Sequence, residues 1–473
     1  MNGAIWTFID ILINKGAYFI ATIILAGILG PKEFGLLGMI MLFVSIGNTF
    51  IDSGMSTSLL RTKNVTEKDY ATVFMTNLLM SVVVYTILFF IAPFIAIFYR
   101  QPILEDLIKI YCLGFVINSF KSIHNVKLMK EMEFKKITIL NLPGNSISVI
   151  VAIWMGYSGF GIWSLVYLFL INQFISTILF WIFLKWKPSF DFDFDNYKYH
   201  FKFGYKLLLA AQLNTIFENI YNILIGKFYS VKALGFYERA YTFNNYPVSI
   251  LSGIILKVSL PSLTSIKGDE VRLQKAYKSI MQMSFLISAS GLAFAALLAH
   301  QIVKLVLGEQ WLPIVPLFQV LSVSFMFYPI HSLNINILSV FGRSDLFLKL
   351  EVVKKIMVLT VVAICFNFGV IGLVWSSVIN SILALIINTH YSGRFLNYST
   401  KNQLLDLIPT LATVLATVSV VYCFQFAIAP TNLILQIVLS FVIGLLTILI
   451  ISARINLLPY LHIKELFLEQ IKK

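Results

Sequence analysis

Long apolar runs broken by short polar turns dominate this sequence from one end to the other. A helix needs about 20 mostly apolar residues to cross a hydrocarbon core about 30 Å thick, since each residue rises about 1.5 Å. Runs of that kind fall at 5–29, 34–56, 73–97, 107–124, 137–155 and 162–184. A second group follows at 207–226, 234–256, 280–305, 312–338, 352–368 and 371–390, and two more at 405–426 and 433–451 close the chain. The pattern predicts an all-α polytopic membrane protein of about 14 spans. The first run holds Asp10 and Lys15 and is followed by no small-residue cleavage pattern, so it reads as a retained span.

Within the apolar runs the polar positions are not random. At about 100° per residue, Asp10, Asn14, Lys15, Tyr18 and Thr22 share one face of the first span. Ser45, Asn48, Thr49, Asp52 and Ser56 form a stripe on the second. Gln212, Thr215, Glu218, Asn219 and Asn222 do so on the seventh, and Glu238, Tyr241, Thr242, Asn245, Ser249 and Ser252 on the eighth, with Arg239 at its shoulder. Ionisable side chains in a span face a bundle interior or water. The stripes predict a hydrated cavity; Asn, Ser and Thr acting as interhelical glue is the plainer reading of any one residue. Pro143 and Pro247 each remove a backbone donor within a span and are candidate hinges.

The same positions repeat. "LGPKEFGLLGMIMLF" (29–43) has a counterpart in "YSVKALGFYERAYTF" (229–243), with Lys32 opposite Lys232 and Gly35 opposite Gly235. "GFGIWS" (159–164) resembles "VIGLVWS" (370–376). This predicts two six-helix lobes related by a pseudo-two-fold axis, at 1–184 and 207–390. A cytoplasmic linker lies at 185–206, and two extra spans with an amphipathic tail at 391–473. The acidic and aromatic stretch "KWKPSFDFDFDNYKYH" (185–200) reads as solvated linker.

Composition fixes the solvent and the orientation. The chain is 58% hydrophobic and 12% charged, too apolar to cover a water-facing surface. The net charge of +14 is spread over short loops, which argues for membrane topology and against nucleic acid. One set of alternate loops carries nearly all the lysines and arginines; the other holds only Lys32, Arg100, Lys109, Lys227, Lys232 and Lys304. The basic set reads as cytoplasmic, with both termini inside. There is no P-loop, no inserted catalytic domain and no histidine pair at metal spacing, so no enzyme activity, metal or organic cofactor is expected. A coupling ion, H⁺ or Na⁺, is the one addition the stripes would accommodate.

"LGPKEFGLLGMI", "FIDSGMSTSLLRTKNVTEKDYATVF" (50–74) and "NIYNILIGKFYSVKALGFYERAYTFNNYPVS" (219–249) resemble bacterial polysaccharide export proteins. These are the Wzx-type lipid-linked oligosaccharide flippases of the MOP superfamily, in the branch of colanic acid and teichuronic acid exporters. The resemblance implies the MOP flippase fold and a cavity lined by the first two spans of each lobe. It implies alternating access that moves a polyprenyl-diphosphate-linked glycan to the outer leaflet of the bacterial cytoplasmic membrane. Lys15 and Arg239 would meet anionic groups; Asp10, Asp52 and Glu218 would balance them or couple an ion. Asn14, Asn48, Asn219, Tyr241 and Asn245 would contact sugar. The acid of the superfamily's N-x-D-N pattern is absent, the segment reading Asn219-Ile220-Tyr221-Asn222. The partners implied are the glycan substrate, the lipid bilayer, and the glycan polymerase and glycosyltransferases of the same biosynthesis. The rival readings are an ion-coupled multidrug exporter of the same superfamily, an integral-membrane glycan polymerase or ligase, and a membrane scaffold.

Overall fold

The protein is described by a computed structural model covering residue 14, residues 16–427 and residues 432–461. The described residues contain no strand. The first helices are α1 (Gly16–Ile28), α2 (Pro31–Asp52), α3 (Met55–Arg61), α4 (Glu67–Tyr99), α5 (Ile103–Tyr111) and α6 (Leu113–Lys130). Then come α7 (Phe134–Tyr157), α8 (Trp163–Phe183), α9 (Phe194–Glu218), α10 (Ile220–Phe228), α11 (Val231–Ser265), α12 (Glu270–Leu297) and α13 (Ala299–Val306). The last are α14 (Ile314–Phe325), α15 (Tyr328–Val340), α16 (Ser344–Cys365), α17 (Gly369–Leu396), α18 (Thr400–Ala427) and α19 (Leu433–Arg454).

Ten helical segments among the described residues are long and apolar enough to cross a membrane, and the chain is a multi-pass membrane protein. Their outward faces carry large apolar side chains: on α4, Phe90, Phe94 and Ile97 are each about seven-tenths exposed. Such a surface is stable only against lipid. The runs at 107–124 and 207–226 do not yield one apolar helix each. The first is divided at Cys112 and the second at Asn219, and α6 and α9 carry several lysines.

Local chemistry explains the element ends. The turn from α2 to α3 passes through Ser53 (φ 47°) and Gly54 (φ 69°), two successive left-handed residues. Thr66 starts α4 with a capping box: its hydroxyl accepts from the Asp69 amide at 3.3 Å, and the Asp69 carboxylate accepts from the Thr66 amide at 2.7 Å. Residues 158–162 form the turn between α7 and α8, with Gly159 and Gly161 at positive φ.

The stretch expected as a solvated linker folds from Phe194 onward. Asp193 caps α9 by accepting from the amides of Asp195 (2.8 Å) and Asn196 (3.0 Å). Phe194, Tyr197, Phe201 and Tyr205 then stack along one face at helical spacing, with centroids 5.4–6.1 Å apart. Local aromatic pairing thus turns residues that read as linker into the first turns of a helix.

The chain packs as two compact units, one ending at Gly235 and one beginning at Phe236. Repeat and packing therefore divide the chain at different places. In the first unit α9 lies against α2, α3 and α4, and Met55, Leu59, Tyr70, Val73, Phe74, Ile123 and Val126 form a buried cluster. The second unit is centred on Leu273, Tyr277, Met281 and Phe285 of α12, packed with side chains of α15, α17 and α18. There the Tyr277 hydroxyl donates to Asn334 Oδ1 at 2.8 Å.

Candidate functional site

In the first unit the stripe residues of α2 and α9 are drawn together. Buried Gln212 donates to the carbonyl of Ile46 at 3.0 Å, which pins the polar face of α9 to α2. Two residues beyond Ile46, Asn48 is exposed; Asp52, the last residue of α2, is half-buried. Just past it α9 crosses the α2–α3 turn at backbone distance. A Cβ on Gly204 would lie 2.2 Å from the carbonyl oxygen of Ser53, and one on Gly54 would lie 2.7 Å from that of Gly204. Only glycine permits this approach.

The seventh span is broken where its polar residues cluster. Asn219 leaves the helical region (φ −96°, ψ 7°) and ends α9, and its side chain donates back to the Thr215 carbonyl at 2.8 Å. Glu218 is exposed beside the break, and buried Asn222 follows on α10. The backbone ladder continues across the break, the Asn219 amide donating to the Thr215 carbonyl at 3.2 Å and the Ile223 amide to the Asn219 carbonyl at 3.0 Å.

The repeat motif forms a contact with itself. A Cβ on Gly35 of α2 would sit 1.9 Å from the carbonyl oxygen of Val231, and one on Gly235 would sit 1.8 Å from that of Pro31. The first turns of α2 and α11 therefore cross backbone to backbone, each glycine receiving the carbonyl four residues before the other. The sequence shows the motif twice; the structure shows that the two copies are each other's partners.

The remaining sequence-selected positions lie as follows. Asp10 and Lys15 are outside the described residues. Asn14 is buried, and its amide oxygen accepts from Asn145 Nδ2 at 2.6 Å; Asn145 in turn accepts from Asn172. This ladder ties the chain just before α1 to α7 and α8. Pro143 is exposed within an unbroken α7. In the second unit, Arg239 is buried on α11, and half-buried Tyr241 meets Phe325 edge to face at 5.3 Å. Asn245 is half-buried, Pro247 is exposed, and α11 continues through it. Asn244, between the stripe positions, is fully buried: it donates to the Phe318 carbonyl at 3.3 Å and accepts from Ser322 at 2.8 Å.

Two buried groups escape sequence reasoning. His200, read there as an isolated histidine, is fully buried between Ser58 Oγ (2.8 Å from Nδ1) and Asp69 Oδ1 (3.1 Å from Nε2). A proton on Nε2 satisfies all three groups: Ser58 donates to Nδ1, and Nε2 donates to Asp69. The residue types match a nucleophilic triad, but Ser58 is buried too, so no substrate reaches its oxygen. The arrangement is a clasp holding α9 to α3 and α4. Lys121, counted among the basic loop residues, is buried between α6 and α8, where it donates to Gln173 Oε1 at 3.1 Å. Its position inside the run 107–124, beside Ser119 and Ser122, was the available signal.

The chain matches the family described as "Polysaccharide biosynthesis protein" over residues 24–316. It is 25% identical over 354 residues to the "Teichuronic acid biosynthesis protein TuaB" of Bacillus subtilis (strain 168), covering 73% of this chain and 72% of the relative. It is 24% identical over 396 residues to the "Lipopolysaccharide biosynthesis protein WzxC" of Escherichia coli (strain K12), covering 82% and 79%. Its fold is similar to that of the lipid II flippase MurJ in an inward closed conformation, with a TM-score of 0.73 at 15% identity over 96% of this chain and 98% of that one. It is also similar to an inward-facing multidrug resistance MATE family transporter of the MOP superfamily, with a TM-score of 0.64 at 16% identity over 84% and 99%.

Proposed function

The chain belongs to the polysaccharide biosynthesis protein family, and from that premise we propose that it flips a polyprenyl-diphosphate-linked oligosaccharide from the inner to the outer leaflet of the bacterial cytoplasmic membrane. The observation that carries this reading is likeness over most of both chains to relatives named for teichuronic acid and lipopolysaccharide biosynthesis, on a fold shared with a lipid II flippase. The glycan and diphosphate travel through a wet path lined by the stripes while the prenyl chain stays in lipid, because a diphosphate cannot enter hydrocarbon unpaired.

The roles follow the chemistry of the stripes. Lys15 and Arg239 hold anionic groups of the substrate. Asp10, Asp52 and Glu218 balance those charges or take a coupling H⁺ or Na⁺. Asn14, Asn48, Asn219, Tyr241 and Asn245 hydrogen-bond sugar hydroxyls, and Pro143 and Pro247 act as hinges in alternating access. The basic loops face the cytoplasm, as does the tail. Two six-helix lobes, 1–184 and 207–390, are the moving bodies. Glycan polymerase and glycosyltransferases are the protein partners. The crossing of α2 and α11 at Gly35 and Gly235 lies at the end away from the basic loops, so it closes the outer ends of those two helices in this state.

The test is deletion of the gene in its host. Loss of surface polysaccharide together with accumulation of lipid-linked glycan in the inner leaflet, both reversed by the gene in trans, is the expected result. Unchanged glycan on both sides of the membrane would refute the proposal.

A further inference from the structure

In the second unit a cavity of about 470 Å³ opens between the first turns of α12 and α18. That volume is within the range of small-ligand pockets, about 300–1,000 Å³. We propose that it binds the phosphate of an anionic phospholipid from the inner leaflet, a role separate from transport of the glycan.

Depth comes first. The apolar runs of these two helices begin at positions 280 and 405. The cavity walls, Gln274, Lys275 and Lys278 on one side and Asn402, Leu405 and Asp406 on the other, lie at and just outside those starts. This is the basic-loop end, which the charge rule assigns to the cytoplasm. The cavity therefore sits at the level of lipid headgroups.

The wall chemistry selects an anion. Lys278 and Lys275 bring two positive charges one helical turn apart, against the single carboxylate of Asp406. That carboxylate is already committed, since its Oδ2 accepts from Lys278 at 2.7 Å and from the hydroxyl of buried Tyr398. Lys278 keeps two N–H groups beyond the one it spends on Asp406. Lys275 is exposed and takes part in no ion pair or hydrogen bond among the described residues. Gln274 and Asn402 add neutral polar groups to the wall. Leu405, about half-exposed on the lip, supplies an apolar contact that a lipid has and a free phosphate lacks.

The pocket is also held in place. The Gln274 amide donates to the Asn397 carbonyl at 3.1 Å, and Asn397 donates to Glu270 at 2.7 Å. Gln282 donates to the backbone carbonyl of Asp406 at 2.8 Å. These bonds join α12 to the α17–α18 turn, so the lysines project from a fixed frame. Basic pockets at helix ends on the cytoplasmic side suit acidic headgroups.

The experiment is native mass spectrometry of the purified full-length protein with added phosphatidylglycerol or phosphatidylethanolamine. The expected result is a retained phosphatidylglycerol adduct and at least about fivefold less phosphatidylethanolamine. Lys275→Gln disturbs no described contact and lowers phosphatidylglycerol occupancy about fivefold; adding Lys278→Gln lowers it further. Equal retention of the two lipids, or wild-type occupancy in Lys275→Gln, overturns the proposal. Displacement of the lipid by excess inorganic phosphate overturns it as well, in favour of a site for a soluble phosphate.

Discussion

At the residue scale, the proposed function separates side chains that bind the protein together from those assigned to a ligand. His200 belongs to the first kind. Replacing it with alanine leaves buried Ser58 and Asp69 without their partner, which costs about 2 kcal/mol or more. His200→Ala therefore lowers the thermal unfolding midpoint of the detergent-solubilised protein, whereas substitution of exposed His390 leaves it near wild type. Arg239 and Lys15 belong to the second kind under the proposed function. Lys15→Ala and Arg239→Ala each reduce glycan export at unchanged protein level; export at wild-type levels in both would remove the anion site from the mechanism. The place of Arg239 at the shoulder of a polar stripe follows from helical spacing alone. The clasp was not, because Ser58, Asp69 and His200 are separated by up to 142 residues and none stands out in its own run.

At the element scale, the informative events are a break, a fold-back and a crossing. The break at Asn219 turns an expected single span into α9 and α10. A run of apolar residues signals burial but does not say whether the backbone stays helical through a polar cluster. Residues 194–205 fold into α9 because aromatic side chains pair at helical spacing, a signal that was present and was outweighed by the acids between them. The crossing of α2 and α11 gives a direct prediction. A valine at Gly35 cannot share space with the Val231 carbonyl and destabilises the crossing by about 2 kcal/mol. Spin labels on Lys32→Cys and Lys232→Cys, both exposed, read the effect as distances by pulsed electron resonance. Gly35→Val adds a longer-distance population; an unchanged distribution would mean that the helices accommodate the side chain without parting.

At the scale of the whole molecule, the proposed flippase reading has a rival to separate from it, since chains of similar fold include a lipid II flippase and a multidrug resistance transporter. The kinship to polysaccharide biosynthesis proteins favours lipid-linked glycan. Expressed in a drug-hypersensitive host, the chain leaves inhibitory concentrations of cationic drugs unchanged; a several-fold rise with no glycan phenotype in its own host would favour the exporter class.

The sequence by itself determined the solvent of this protein, its helical class and many of its turns. Those properties depend on residues within a few turns of one another, and periodicity records them. It also showed that the motif around Gly35 returns around Gly235. Only the tertiary structure decided that the two copies touch, that α9 packs with the first unit, and that Lys121 and His200 are buried. Each of those outcomes depends on which distant surfaces meet, and burial of a polar group is settled by the partner waiting for it, a property that neither segment carries alone.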